Sequence, residues 1–245
     1  MNETIELLKS HRSIRKFKGE RLDQATLDEL VRAGQAAATS SFLQACTVIQ
    51  VEDPARREEL AQCAGGQAYV ADAAAFLVFC ADMKRHRLCC DMHGAQMQSG
   101  FTEQFITATA DCALFAQNVA VAAESMGLGI VFIGGLRNRI DRVAELLELP
   151  ELVYPVFGLC LGYPDQNPEV KPRLPLEVIL KKDRYDDSQD CERIRDYDEQ
   201  VRQYYRSRTG GNKDMSWSEQ ISGMLIKEAR PHMLAFLQQQ GFLKR

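Results

Sequence analysis

Five consecutive residues near the N-terminus, His11-Arg12-Ser13-Ile14-Arg15, supply two guanidinium groups, an imidazole and a hydroxyl. A phosphate monoester dianion is held by such a set: planar arginine forks, a hydroxyl and backbone N–H groups. The same pentad also suits a solvated basic turn, since charge clusters are usually surface features. A second basic pair stands far along the chain in Lys171-Pro172-Arg173-Leu174-Pro175. Its prolines restrict the backbone and leave Lys171 and Arg173 on one side of an extended segment. A rigid surface loop accounts for that pair equally well. Between the clusters lie Thr39-Ser40-Ser41-Phe42, Gly66-Gln67 and Ile133-Gly134-Gly135. A hydroxyl-rich turn beside an aromatic can donate to the edge of a flat ring and pack on its face. A Gly-Gly pair lets backbone approach such a ring closely, and it also suits a plain strand-end turn.

These residues must be positioned by the elements around them. Asp23 is placed to cap a helix running to about Ala38, with Leu27, Leu30 and Val31 on one face. A strand is expected over about 47–51. Asp53-Pro54 then reads as an N-cap and first helical residue, with Gly65-Gly66 as the stop. The apolar run 75–80 is short enough for a buried strand. Residues 101–126 form a long, alanine-rich helix. Phe105, Ala108, Cys112, Phe115, Val119 and Ala122 make one stripe, while Ala116, Ala120 and Ala123 keep a neighbouring face small. A helix apolar over so much of its circumference requires burial on several sides, at a domain centre or in a subunit interface. Strands over 130–133 and 156–162 flank a short helix over 141–149, stopped by Pro150. After Pro175 the chain turns polar. Residues 183–216 read as an excursion that wraps a partner subunit or covers a pocket, and two short helices close the chain. Helices and strands mixed without a regular alternation favour α+β over a doubly wound sheet.

The 245 residues, 45% apolar and 26% charged, suit one large domain with or without an extension. No window comes near the roughly eighteen uninterrupted apolar residues of a membrane span. The N-terminus has no apolar core ahead of its charges, which argues against a secretory signal, so a cytoplasmic location is expected. A net charge of -4 gives no support to nucleic-acid binding, and the arginines of 193–208 are interleaved with Asp and Glu. The eight cysteines contain no C-x-x-C pair. Cys89-Cys90, near His86 and His93, read as part of a mobile surface loop, because their spacing matches no zinc pattern. No metal is expected.

Taken in order, HRSIR, SSFLQ, GGQ, AAESMGLG followed by FIGGLRN, FGLCLGYP, KPRLP and a late YY-x-x-R resemble the FMN-dependent nitroreductase superfamily. The likeness is to its larger branch of oxygen-insensitive, NADPH-preferring nitroreductases and flavin reductases, and runs from about residue 2 to 245. It implies a nitroreductase-like α+β fold: a mostly antiparallel central sheet flanked by helices, in an intertwined homodimer. The chain would be one domain over 1–245, with 176–245 as polar excursion and C-terminal extension. The resemblance also implies bound FMN. His11, Arg12 and Ser13 would hold its phosphate and ribityl end, with Lys171 and Arg173 completing the phosphate cage and Arg15 facing N1 and O2. Reduction places negative charge at N1–C2=O, where a fixed cation favours the reduced form by ~1–3 kcal/mol.

Thr39, Ser41 and Phe42 would line the ring from across the dimer interface. Thr39 stands where the family usually has serine, and keeps the hydroxyl. Gln67 would read the pyrimidine edge, and the backbone of Ile133, Gly134 and Gly135 would lie near the ring. Arg208 and Lys213, flanking Thr209-Gly210-Gly211-Asn212, match positions that meet the NADPH 2′-phosphate. Lys213 and then Asp214 stand where close relatives carry a second arginine, which loses bidentate geometry and adds a carboxylate. Glu103 and Arg230 match channel-lining positions. No catalytic side chain is expected, because the flavin carries the chemistry. NADPH would reduce it, and a nitroaromatic, quinone or free flavin would then enter the same pocket, in ping-pong order. Two alternatives remain: a reductase that supplies free reduced FMN, and a flavin-binding module without turnover.

Overall fold

The computed structural model describes residues 2–245. Short polar side chains start the first helices. Asn2 caps α1 (Glu3–Lys9) by accepting from the Ile5 N–H. Asp23 caps α2 (Gln24–Gln35), its Oδ1 2.8 Å from the Thr26 nitrogen. This helix stops short of Ala38, with Ala36 as its C-cap. After β1 (Cys46–Gln50), Asp53 Oδ1 accepts from Arg56 N–H at 2.9 Å to open α3 (Pro54–Cys63). Pro54 fills a first-turn position that needs no donor. The chain then turns at Gly65 and Gly66, with φ of 89° and 75°, a region that glycine enters without strain. Next come α4 (Tyr69–Asp72), β2 (Ala75–Asp82), α5 (Lys84–Met92), α6 (Thr102–Ser125), β3 (Gly129–Ile133), α7 (Ile140–Leu146) and β4 (Val153–Gly162).

The four strands lie in the order β1-β2-β4-β3, every neighbouring pair antiparallel, and helices cover both faces: an α+β fold. Alternate residues of β2 feed two cores, which is why its sequence shows no polar alternation. Ala75, Leu77, Phe79 and Ala81 face one core with α2 and α6. Phe76, Val78 and Cys80 face the other, with Leu60, Leu136 and Val143. Burial pushes the thiols of Cys80, Cys112 and Cys160 well above their ordinary pKa. They act there as small hydrophobes.

The helix α6 buries Ala108, Cys112, Ala116, Val119, Ala120 and Ala123 together with Thr107 and Asp111. It approaches α2 so closely that a Cβ on Gly34 would lie 2.3 Å from the Phe115 ring. The expected burial on several sides is not met within one chain. Ile106 and Leu114 are 53% and 50% exposed, and Ala110 and Ala113 beside them are exposed as well. These residues form a second apolar stripe at helical spacing. By length and composition α6 could cross a bilayer, but here it packs on α2, β1, β2 and β3.

Cys89 and Cys90 lie on a helix, not in a surface loop. Asp82 starts α5 by accepting from the N–H groups of Lys84 and Arg85, at 2.8 and 3.3 Å. Nothing on α5 is buried, so its sequence carries no apolar period to reveal it.

The residues fall into two compact units: one runs to Asn167 and takes in Arg230–Arg245, and the second is Pro168–Ala229. The second unit holds α8 (Leu176–Ile179), α9 (Asp190–Thr209) and α10 (Trp217–Leu225). Tyr197, Val201, Tyr204 and Tyr205 of α9 make its core, with Leu174 and Trp217 packed against them. Helix α9 ends at Gly210, with φ 60°. In the first unit, α11 (Met233–Gln239) leads to a tail whose Lys244 N–H donates to Gly100 O at 2.9 Å.

Candidate functional site

The strand β3 is an edge of the sheet, and the N-terminal segment runs beside its start. Ser13 forms a parallel bridge with Ile130, and Ile14 N–H donates to Ile130 O at 2.8 Å. Gly129 makes room for this: a Cβ there would lie 2.7 Å from the Ile14 side chain. Ile14 is buried, while Arg15 is exposed and has no hydrogen-bond or ion-pair partner among the described residues. His11 Nδ1 lies 2.6 Å from Glu124 Oε1 on the last turn of α6, which anchors the imidazole and leaves Nε2 for a ligand. Arg12 donates to Asn167 Oδ1. A cavity of ≈ 150 Å³ opens here among Ser10, Arg12, Glu124, Gly129, Gln166 and Asn167.

Beyond Ser13 the chain stays at this end of the sheet, where Phe17 bridges Pro164 and Asp165 N–H donates to Lys16 O at 2.9 Å, while β3 itself runs on to Ile133. There the strand breaks into a 3-10 turn, Gly134–Arg139. A Cβ on Gly135 would lie 2.5 Å from Ala64 O and 3.1 Å from Gln67 Nε2. The amide placed by the Gly65-Gly66 turn therefore packs directly on the Gly-Gly backbone. Its Oε1 accepts from Tyr69 OH at 2.8 Å. Arg230 reaches the same turn, its Nε donating to Asn138 Oδ1 at 2.9 Å. Burial and the repulsion of Arg230 lower the pKa of Arg137, which donates to Val156 O. Gln67, Gly134, Gly135 and Arg230 thus come together from remote parts of the sequence. Glu103 does not join them; it sits exposed in the first turn of α6.

Thr39, Ser41 and Phe42 belong to a third feature. Ser41, Phe42 and Gln44 have φ of 48°, 58° and 55°. Non-glycine residues in this region cost about 1–3 kcal/mol each and persist only where the surroundings over-determine them. Here the carboxylate of Asp111 accepts from Ser40 N–H at 3.0 Å and Ala45 N–H at 3.1 Å. From the other side, His86 Nε2 bonds to Leu43 O at 2.8 Å, and Arg85 donates to Gln44 O at 3.0 Å. Phe42 is 80% exposed. The loop borders a cleft of ≈ 620 Å³ with Arg85, His86, Cys89 and Phe115. No hydrogen bond or ring contact among the described residues joins it to either end of β3.

In the second unit, two tyrosines collect the cations. Lys171 Nζ donates to Tyr205 OH at 2.8 Å, Arg208 donates to Tyr204 OH at 3.0 Å, and Lys213 Nζ lies 3.9 Å from the centre of the Tyr205 ring. Arg173 is exposed nearby in sequence. Burial alone would raise the pKa of Tyr205, but the Lys171 hydrogen bond and the charges of Lys171 and Lys213 outweigh it and lower it. Asp214, the carboxylate that follows Lys213, is taken by Arg206 at 2.6 Å and Arg202 at 3.1 Å. These two hold its pKa down.

Glu124, inside one of the quoted motifs, and Asp111 are among the polar residues of this geometry to which motif reading gave no role. The signal for Asp111 was present: the one carboxylate in the interior of an alanine-rich apolar helix whose others, Glu103 and Glu124, lie in its end turns, and a residue type almost never buried without partners.

Comparisons with known proteins bear on the family and the fold. The family model described as "Nitroreductase family" matches residues 8–163, and "Nitroreductase family, C-terminal domain" matches 171–245. The chain is 46% identical over 245 residues to an NADPH-flavin oxidoreductase of Vibrio harveyi, covering 100% of both. It is 45% identical over 245 residues to an oxygen-insensitive NADPH nitroreductase of Salmonella typhimurium, again covering 100% of both. The crystal structure of nitroreductase A from Vibrio parahaemolyticus superposes with a TM-score of 0.93 at 44% identity, covering 100% of each chain. With its sheet, its sequence motifs and full-length relatives all in agreement, the chain belongs to the nitroreductase family.

Proposed function

We propose that the chain is an FMN-dependent enzyme that oxidises NADPH and passes two electrons to small oxidants: nitroaromatic compounds, quinones or free flavins. One observation carries this. A single edge strand has anion donors at its start, in His11, Arg12 and Ser13, and a bare Gly134-Gly135 backbone beside the Gln67 amide at its end. Four residues of strand separate the two, about 13 Å at the usual rise. The residues present fit the cofactor. The donors at the start of β3 suit a phosphate dianion, the Gln67 amide lies against Gly135 at the other end, and Arg15 is an exposed cation that can face developing negative charge.

Bound FMN would supply the redox chemistry, taking hydride equivalents from NADPH and returning electron pairs to the oxidant in alternating half-reactions. The chain's own groups position and polarise. His11, Arg12 and Ser13 neutralise the phosphate, a role that the family resemblance extends to Lys171 and Arg173. Arg15 sets positive charge at the N1–O2 side, and Gln67 reads the pyrimidine edge. The backbone of Ile133, Gly134 and Gly135 excludes water from one face. Thr39, Ser41 and Phe42 of a second copy line the ring, and the exposed stripe of α6 supplies a face for that copy. Arg208 and Lys213 meet the 2′-phosphate of NADPH, and Arg230 borders the entrance. No side chain has to shuttle a proton. We place the homodimer in the cytoplasm, acting on small molecules without nucleic acid or membrane.

The names of the two curated relatives support both a nitroreductase and a flavin reductase role. Turnover of nitrofurazone against turnover of added FMN, at matched NADPH, separates them. The main test is a visible spectrum of purified protein before and after anaerobic NADPH. The yellow colour is expected to bleach within seconds. A protein that binds no flavin, or stays yellow, overturns the assignment. Kinetics that require a ternary complex would overturn the alternating order alone.

A further inference from the structure

We infer that Asp111 is a positioning residue of the flavin site: its buried carboxylate buckles the left-handed loop 40–45, which presents Thr39, Ser41 and Phe42. The inference rests on the assignment of those three residues to the ring. Asp111 is 1% exposed and faces the core between Ala108 and Cys112, where an apolar side chain would be the default. A carboxylate is tolerated there only with hydrogen bonds that replace water. Both that it makes go to one short loop, to the N–H groups of Ser40 and Ala45 at its two ends. An apolar residue at 111 would leave those two donors unsatisfied and the loop without its closure.

What the buckle holds is the costly conformation. Ser41, Phe42 and Gln44 are left-handed, and none is glycine. Without a clamp, this loop would relax toward ordinary backbone angles and carry the 80% exposed Phe42 with it. The braces on the opposite side, His86 to Leu43 O and Arg85 to Gln44 O, hold carbonyls in the middle of the loop. Asp111 holds the ends. Buried beneath the loop, it acts through Thr39, Ser41 and Phe42 and touches no substrate.

Asp111→Asn keeps the size but turns a donor group toward one of the two N–H groups. FMN titrated into the apoprotein and followed by fluorescence is expected to bind about ten-fold more weakly, the value of one charge-assisted hydrogen bond. The visible absorption envelope of bound FMN should also shift, since the groups lining the ring have moved. His86→Ala releases the Leu43 carbonyl without disturbing α6, and should move both readouts the same way by less. Wild-type affinity and an unshifted spectrum in Asp111→Asn, whatever its Tm, would overturn the inference and leave Asp111 a core residue only. Should that variant fail to fold, an unshifted spectrum and unchanged affinity in His86→Ala overturns it instead. If the wild-type protein takes up no FMN, the functional assignment itself falls, which is a different result from either.

Discussion

Glu124 holds His11 by a contact of 2.6 Å, although 113 residues separate them. Replacing the carboxylate by an amide, Glu124→Gln, keeps the geometry and removes the charge. Affinity for FMN, measured by fluorescence quenching, is expected to fall about five- to ten-fold, for loss of ~1–1.5 kcal/mol. Gly135 makes a sterically sharper case. A Cβ would meet the Ala64 carbonyl at 2.5 Å, and backbone cannot swing away as a flexible side chain can. Gly135→Ala should lower stability by about 1–3 kcal/mol, with a lower Tm and weaker flavin retention. An unchanged Tm would show that the Gly-Gly turn has slack the structure does not reveal. At this scale the motif residues were legible because their types are unusual for their places. Glu124 and Asp111 were not, because a carboxylate on a helix names no partner, and theirs lie on segments remote in the chain.

Among the elements, legibility followed local chemistry. The start of α3 was readable from Asp53-Pro54, since an N-cap and its helix lie within four residues. Asp53→Ala should cost ~1 kcal/mol, seen as a drop in Tm with flavin affinity preserved, because the cap lies at the end of α3 remote from Ala64 and the Gly65-Gly66 turn. Strand β2 was readable from its apolar run. Helix α5 was not, for it buries nothing and is started by Asp82, which belongs to the preceding strand. Helix α9 was hidden differently. Its buried Tyr197, Val201, Tyr204 and Tyr205 keep helical spacing, but Arg, Asp and Glu fill the turns between them and mask the period.

For the whole molecule, the decisive surface is the outer stripe of α6. Ile106, Ala110, Ala113 and Leu114 are apolar and exposed on a helix whose other face lies in the core. If two copies pair through this stripe, as proposed above, a charge there prevents pairing while leaving the chain folded. Leu114→Glu is expected to give a monomer by light scattering and to lose FMN, with far-UV circular dichroism unchanged. A variant that stays dimeric would place the subunit contact elsewhere.

The sequence by itself determined what depends on near neighbours: helix caps, apolar periods, glycine turns, and the order along the chain of the residue types here proposed for a phosphate-and-ring site. Tertiary structure decided which of those residues meet. It set Gln67 against Gly135, His11 against Glu124, and Asp111 beneath the loop at 40–45. Such pairings depend on how helices pack across a sheet. That packing is fixed by the shape of the whole core, and no short stretch of sequence contains it.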